Sequence, residues 1–469
     1  MRRIADIPSP WRYLVIALLV LAGILLLRRR DEQADHTAHT ATVDVHFKLR
    51  PGATTALAAQ PLFTHLPRTA AAFDDPRARW RRIEIPAAHA AAFIGALDHD
   101  PSVEQAFVAP EVTLPQAHDN PLLVPGQTDV LRDGDSCPIS TPSYEHHQGY
   151  VGPAPGGIDA PAAWRRGVRG QGIWFADVEG GWNASHEDLP GDRIRHVAGQ
   201  PIDDPTWRQH GTAVLGEVVG RDNGKGVVGL APDVERVFTA SIGRLAVADA
   251  LDAAAEQLRA GDVLLIELQG TGPRGRFLPM EYWDDNFDAI QAATRRGVVV
   301  IEAAGNGGED LDRSIYRGKL SRTGRDSGAI IVGAGGPPRA GFTDRARLDF
   351  SNFGSRVDVQ GWGRKVATLD YGDLQRCDSA DDRRYADRHY TGEFSGTSSA
   401  SPIVAGAAVL VESWSKQHRG RPLEPAAVRE LLRRTGTPQA AGIGGRAVTG
   451  EPQNIGPRPD LARALAALD

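Results

Sequence analysis

The chain has 469 residues, 41% hydrophobic and 24% charged, with 52 glycines and 32 prolines. That length exceeds one ordinary domain and the composition is globular, so two folded units with turn-rich connections are expected. A net charge of -6 argues against a nucleic-acid partner, which needs a basic stripe, and no repeat of fixed period marks a solenoid.

The first element is an apolar run, Tyr13 to Leu27, with Arg2, Arg3 and Arg12 before it and Arg28 to Arg30 behind it. It has the length of a signal-peptide core and falls short of the roughly 20 residues of a membrane span. Arginines directly behind it can snorkel and extend a short anchor. Residues 1–30 therefore read as a signal peptide or a short membrane anchor, and the near-balanced flanking charge does not choose. Both readings export the protein: secreted, periplasmic or anchored to the cell envelope, with residues 13–27 as the tether in the last case. Residues 31–41 are polar and expected to be disordered. Then "TVDVHFKLR" alternates apolar and polar residues as a half-buried strand does. "RWRRIEI" reads as a second strand, "AAHAAAFIGALDHD" as a helix, and "VEQAFVAPEVTL" as a closing strand. Together they predict a small α+β domain over residues 42–118. Residues 119–156, rich in Pro, Gly, Asp and Ser, read as a linker.

From residue 157 to 469 the pattern changes. "GIWFADVEGG", "DVLLIELQGTG", "GVVVIEAAGNGG" and "GAIIVGAGG" are continuous apolar runs ending in polar or glycine clusters. Such runs fit strands buried on both faces, hence a parallel sheet. Helical text lies between them, "VADALDAAAEQLRA" and "NFDAIQAATRRG". The alternation predicts an α/β domain with a doubly wound, mostly parallel sheet flanked by helices. Chemistry in such sheets gathers beyond the carboxyl ends of the strands, where the polar clusters fall.

Three stretches there could carry it. "FADVEGGWNASHEDL" sets Asp177 at a strand end, "QHGTAVLGEVVG" sets His210 ahead of a helix, and "SGTSSASP" sets Ser398 at a helix start. Asp, His, Ser is one of the known orders of a nucleophile triad. A serine hydroxyl needs a base to take its proton, and an imidazole titrating near neutrality supplies one. A buried carboxylate holds that imidazole in the right tautomer. Free N–H groups at the start of the following helix suit a developing oxyanion. Pro402 fits the first turn of that helix.

On these motifs residues 157–469 resemble the subtilisin-like serine peptidases (subtilases, S8 type). "GTSSASPIVAG" is similar to the family's nucleophile signature and "HGTAV" to its histidine signature. "ADVEGGWNASHEDL" is similar to the aspartate segment, with Val178 and Glu179 in place of the usual small residue and glycine. "AAGNGG" is similar to the segment whose asparagine completes the oxyanion hole. The resemblance implies Ser398 as nucleophile, His210 as general base and acid, Asp177 as orienting carboxylate and Asn306 as oxyanion donor. It implies substrate-binding segments at Leu268, Gln269 and Gly270 and at Ala304 and Gly305. No acidic pair marks a pocket for basic side chains. Residues 42–118 resemble the family's inhibitory propeptide, so a self-processing zymogen with its processing site in the linker is implied. The expected activity is endopeptidase, with protein or peptide substrates and the propeptide as intramolecular inhibitor. A catalytically idle binding module of the same fold, or esterase or transpeptidase chemistry on the same residues, are the other readings.

No cofactor is required. Asp188 and Asn223 match positions that bind calcium in some relatives, so calcium as a structural ion stays open, and no metal ligand set is assigned. His146, His147 and His186 are read as surface histidines. Glu267 and Glu302 stand where apolar residues belong. A buried carboxyl must be paired, protonated or metal-bound, so either the two share a proton or one is paired with an arginine. Cys137 and Cys377 are the chain's two cysteines; a disulfide and two free thiols are both open.

Overall fold

The computed structural model describes residues 41–64, 66, 75–115, 140–377, 383–442 and 453–469. The apolar run 13–27, residues 31–40 and Cys137 lie outside them. The chain divides into two compact units, Met1–Ala109 and Pro110–Asp469.

The first unit holds β1 (Thr42–Leu49), β2 (Gln60–Pro61), β3 (Trp80–Pro86), α1 (Ala90–Asp98) and β4 (Val103–Val108). Its antiparallel sheet has the order β2-β3-β1-β4. One face of β1 sends Val45, Phe47 and Leu49 into a core with Leu97 of α1 and Val103. The half-buried expectation for β1 is exceeded: His46 and Lys48, on its other face, are buried too, with His46 edge-on to Phe107 and Lys48 over the Trp80 ring. The predicted closing strand is cut in two. Pro110, which has no N–H to give to a ladder, ends its stay in this sheet, and β5 (Val112–Thr113) belongs to the second unit.

The second unit adds α2 (Ala160–Trp164), β6 (Trp174–Glu179), β7 (Ile194–Ala198), α3 (Pro205–Val219), β8 (Arg236–Ser241), α4 (Val247–Glu256) and β9 (Val263–Ile266). It continues with β10 (Gln269–Thr271), β11 (Phe277–Leu278), α5 (Asp284–Arg295), β12 (Val299–Ala303), β13 (Ile330–Gly335), β14 (Val359–Trp362), β15 (Val366–Leu369), β16 (Tyr390–Phe394), α6 (Thr397–Arg419), α7 (Pro425–Thr435) and α8 (Leu461–Ala466). Seven strands form one sheet in the order β14-β13-β12-β9-β6-β8-β7, with every neighbouring pair parallel. Helices α3 and α6 pack together on one face; α4 and α5 cover the other. The apolar runs are buried on both sides, as a covered parallel sheet requires. The strand order reverses between β6 and β9, so the crevice beyond their carboxyl ends is the topological switch point. Glu179 ends β6 and Glu267 directly follows β9, which puts both at that crevice.

Candidate active site

Helix α3 starts at Asp204, whose carboxylate accepts from Thr206 N at 2.7 Å, with Pro205 in the first position. His210 therefore lies inside the helix, not ahead of it. The adjoining Gly211 has a close-approach reason: a Cβ there would lie 2.3 Å from the Gly181 carbonyl oxygen in the loop after β6. That contact brings the imidazole against the end of the strand. The His210 Nδ1 to Glu179 Oε1 distance is 2.6 Å, with both side chains fully buried. Phe394 meets the ring edge-on.

The expectation for Asp177 is corrected here. Asp177 shares the face of Glu179, two residues earlier and so one pair deeper in the sheet. Its Oδ2 accepts from the Trp182 indole N–H at 2.7 Å. It makes no hydrogen bond to His210; Glu179 holds the imidazole. The signal was in the segment itself: Gly180 and Gly181 follow Glu179 as the small residue and glycine expected after the orienting carboxylate.

Ser398 is the second residue of α6, and its Oγ donates to the carbonyl oxygen of Pro115 at 2.6 Å. The buried Nε2 of His210 has no hydrogen-bond partner, so the serine–imidazole bond is not made with Pro115 in place. Pro402 lies in the second turn of α6, not the first, and having no N–H it gives no i→i−4 bond to the Ser398 carbonyl. Asn306 is held at three points. Its Oδ1 accepts from Thr397 N at 2.9 Å and Thr397 Oγ1 at 3.0 Å, and its backbone N–H donates to Gln269 Oε1 at 2.8 Å. Its buried Nδ2 is left without a partner. At Gly396 φ is +107°, and a Cβ there would lie 2.1 Å from the Pro115 oxygen and 3.1 Å from Asn306 Nδ2. Glycine is thus what leaves room for the Pro115 carbonyl beside the amide.

Residues 111–115 lie along β10. Sheet order β11-β10-β5 is antiparallel, with Gln269 opposite Thr113 and Gly270 opposite Val112. Thr271 N donates to the Glu111 carbonyl at 3.0 Å, and Gln269 Nε2 to the Leu114 carbonyl at 2.9 Å. Of the predicted substrate-binding residues, Gln269 and Gly270 are on this strand. Leu268, Ala304 and Gly305 make no hydrogen bond to it; the carbonyls of Ala304 and Gly305 accept instead from the Asn352 side chain and backbone. Thr271 and Thr397 were missed, because a threonine in a glycine-rich run carries no signature of its own.

Beneath the imidazole lies a layer of buried carboxyls: Asp177, Glu179, Glu217 and Glu267. Burial pushes Asp177 up to about 7, against the pull of the Trp182 N–H. Burial, then the charges of Asp177 and Glu267, push Glu179 well up. Burial drives His210 down to about 3. These directions belong to the site as residues 111–115 cover it.

Glu302 does not share a proton with Glu267. It stands opposite Ile266 in the β12–β9 register, so Glu267, one residue on, points to the other face. Glu302 Oε1 accepts from Glu281 N at 2.9 Å, beside the buried Arg356, whose guanidinium grips both Glu281 oxygens at 2.8 Å and Asp358 at 2.8 Å. His186 is not on the surface. It is buried, with Nε2 2.9 Å from the His389 carbonyl and Nδ1 accepting from Asp188 N. The residues at the calcium-matching positions do not fit a calcium ion, which takes six or more oxygen ligands. Asp188 spends one oxygen on Asn223 Nδ2 and the other on Val227 N, both at 2.8 Å, and Lys225 brings its ammonium to Glu187 at 2.9 Å. Among the described residues no group of three or more His, Cys, Asp or Glu could hold a metal.

A serine at a helix start, an imidazole braced by a carboxylate and a free amide, gathered at the switch point of a parallel sheet, are the parts of a serine peptidase. The Subtilase family (Peptidase S8) matches residues 180–450, beginning one residue after Glu179. The chain is 29% identical over 294 residues to "Intracellular serine protease" of Paenibacillus polymyxa, covering 59% of this chain and 78% of that one. It is 26% identical over 295 residues to "Major intracellular serine protease" of Bacillus subtilis (strain 168), covering 59% and 80%. Subtilisin Savinase of Lederbergia lenta is 30% identical over 271 residues, 55% and 84% of the two chains. A solved structure among the proteases from Pseudoalteromonas arctica shares the fold with a TM-score of 0.51 at 23% identity, over 70% of this chain and all of that one. This chain belongs to the subtilase family and is a serine-type endopeptidase.

Proposed function

We propose that the protein is an exported endopeptidase, made as a zymogen, that works through Ser398, His210 and Glu179 and cuts its own chain between Pro115 and Gln116. The observation that carries this reading is the Pro115 carbonyl, 2.6 Å from Ser398 Oγ at the end of a strand laid on β10.

In the reaction Ser398 Oγ attacks the carbonyl carbon while its proton passes to His210 Nε2. Glu179 keeps Nδ1–H as the donor to its own carboxylate and steadies the imidazolium. The oxyanion forms against Asn306 Nδ2 and the Ser398 backbone N–H. The amine leaves with the proton from His210, and the acyl-enzyme is then hydrolysed by water that returns a proton the same way. Peptide substrates would take the place of residues 111–115, antiparallel to β10, with Gln269 Nε2 on the carbonyl one residue before the cut. The first unit, residues 42–109, acts as the propeptide whose trailing segment plugs the cleft. Cys377 is disulfide-bonded, and the chain's one other cysteine is Cys137, outside the described residues. A disulfide suits an oxidising compartment and so favours export through residues 1–30. Cutting after Pro115 leaves Cys137 in the mature enzyme. Among the described residues no helix is long and apolar enough to cross a membrane.

The test is a serine-directed fluorophosphonate with peptide mapping, together with N-terminal sequencing of the processed enzyme. Label on Ser398, a mature N-terminus at Gln116, and a Ser398→Ala protein that stays full length are expected. Normal processing of Ser398→Ala overturns self-cleavage, and label elsewhere overturns the site.

A further inference from the structure

Ser401 is buried on α6, one turn behind Ser398. Its Oγ lies 2.5 Å from Glu267 Oε1 and 2.7 Å from the Thr397 carbonyl oxygen. A hydroxyl has one hydrogen and can serve one of these acceptors well. Were Glu267 a carboxylate, one of the two close contacts would pair two oxygens with no hydrogen between them. The count closes if the second hydrogen sits on Glu267.

We propose that Glu267 is a positioning residue that acts as a neutral carboxylic acid: it donates to Ser401, which donates to the Thr397 carbonyl and so pins the first turn of the catalytic helix. Thr397 in turn fixes Asn306, whose Oδ1 takes both the N–H and the hydroxyl of Thr397. The chain of donors Glu267, Ser401, Thr397 therefore ends on the residue that offers its amide to the oxyanion. Glu267 touches no reacting atom. This inference rests on the reading of Asn306 as oxyanion donor given above.

The surroundings favour the neutral form. Glu267 is fully buried, and its second oxygen has no partner. The groups facing it are carboxyls: Asp177 and Glu179 from β6, and Glu217 from α3, which also carries His210. Helix α6 faces it with the Ser401 hydroxyl, and β12 turns Glu302 to the opposite side. No cation among the described residues bonds to this group. Burial, with Asp177 beside it, pushes the Glu267 carboxyl well above its ordinary range, against the Ser401 bond.

Ionisation at high pH breaks this chain of donors. The Ser401 hydrogen turns to the new carboxylate, the Thr397 carbonyl loses its donor, and a second negative charge appears beside Glu179. Turnover should then fall on the alkaline side in one reversible proton step, through kcat more than KM.

The experiment uses the processed enzyme and a peptide substrate. Glu267→Ala should lower kcat about tenfold or more at neutral pH, as befits a displaced oxyanion donor. Glu267→Gln keeps a donor for Ser401 and cannot ionise, so it should restore most of that loss and remove the alkaline limb. An alkaline limb unchanged in Glu267→Gln, or a neutral kcat as low as in Glu267→Ala, overturns the proposal. A second measurement needs no activity. In the Ser398→Ala protein, the infrared difference on adding Glu267→Gln at neutral pH should show the loss of a protonated carboxyl C=O band. Loss of a carboxylate band overturns the proposal. Because that readout does not pass through catalysis, it stands apart from the fluorophosphonate result that decides the role of Ser398.

Discussion

Glu179 hands His210 an oxygen at 2.6 Å, while Asp177 is occupied by the Trp182 indole. The two carboxyls are two residues apart on one strand face, so the choice between them is a matter of register, not of chemistry. Replacing Glu179 with Gln leaves the shape and lets the amide present the wrong hydrogen to Nδ1. Glu179→Gln should therefore cost about 10⁴ in kcat, the loss seen when an orienting carboxylate becomes an amide. Asp177→Asn keeps an acceptor for Trp182 and should retain most activity; kcat/KM of the two variants on one peptide checks this. The reverse order of losses would restore Asp177 to the role first expected of it. The serine, the histidine and the asparagine were legible because each sits in a local motif. The carboxylate was misplaced by two residues: a strand of alternating faces offers two acidic candidates, and the aspartate outweighed the Gly180–Gly181 pair that marks Glu179.

At the scale of elements, the site depends on two tight approaches of backbone to backbone. Gly211 lets α3 reach the loop after β6, and Gly396 lets a carbonyl enter beside Asn306. Gly396 is the more exposed to test, since its φ of +107° already disfavours any side chain. Gly396→Ala places a methyl where the Pro115 oxygen lies, so the protein should fold and remain as unprocessed precursor. Gel mobility reads the precursor, and circular dichroism separates that outcome from misfolding. Processing at the wild-type rate would show that the carbonyl enters by another path. Strands β6, β9, β12 and β13 and helices α4 and α5 of the second unit were legible from apolar runs and helical spacing. The fate of "VEQAFVAPEVTL" was not. It reads as one strand, yet Pro110 divides it, and β5 pairs with a partner more than 150 residues away, β10. No local pattern names a partner at that distance.

Across the whole molecule, buried acids tie stability to pH. Burial raises Asp177 to about 7, and burial raises Glu412 to about 8 against the pull of the Leu423 N–H. The folded chain therefore binds these protons more tightly than the unfolded chain. Their contribution is complete below the ordinary carboxyl range of about 4 and is lost as pH rises through about 7 and about 8. His210, lowered to about 3, works in the opposite sense and only below its ordinary value of about 6.5. The Tm of the Ser398→Ala protein, which cannot digest itself, should fall as pH rises from about 6.5 to about 8; a Tm that rises over that window contradicts the buried acids. The sequence alone determined the fold class and the serine-peptidase class, and it named three of the side chains that meet at the switch point, because continuous apolar runs demand a covered parallel sheet and a nucleophile needs small neighbours at a helix start. Tertiary structure decided which segment lies in the cleft and which way each buried acid points. Those depend on strand register and on contacts between distant segments, where a shift of one residue turns a side chain to the other face.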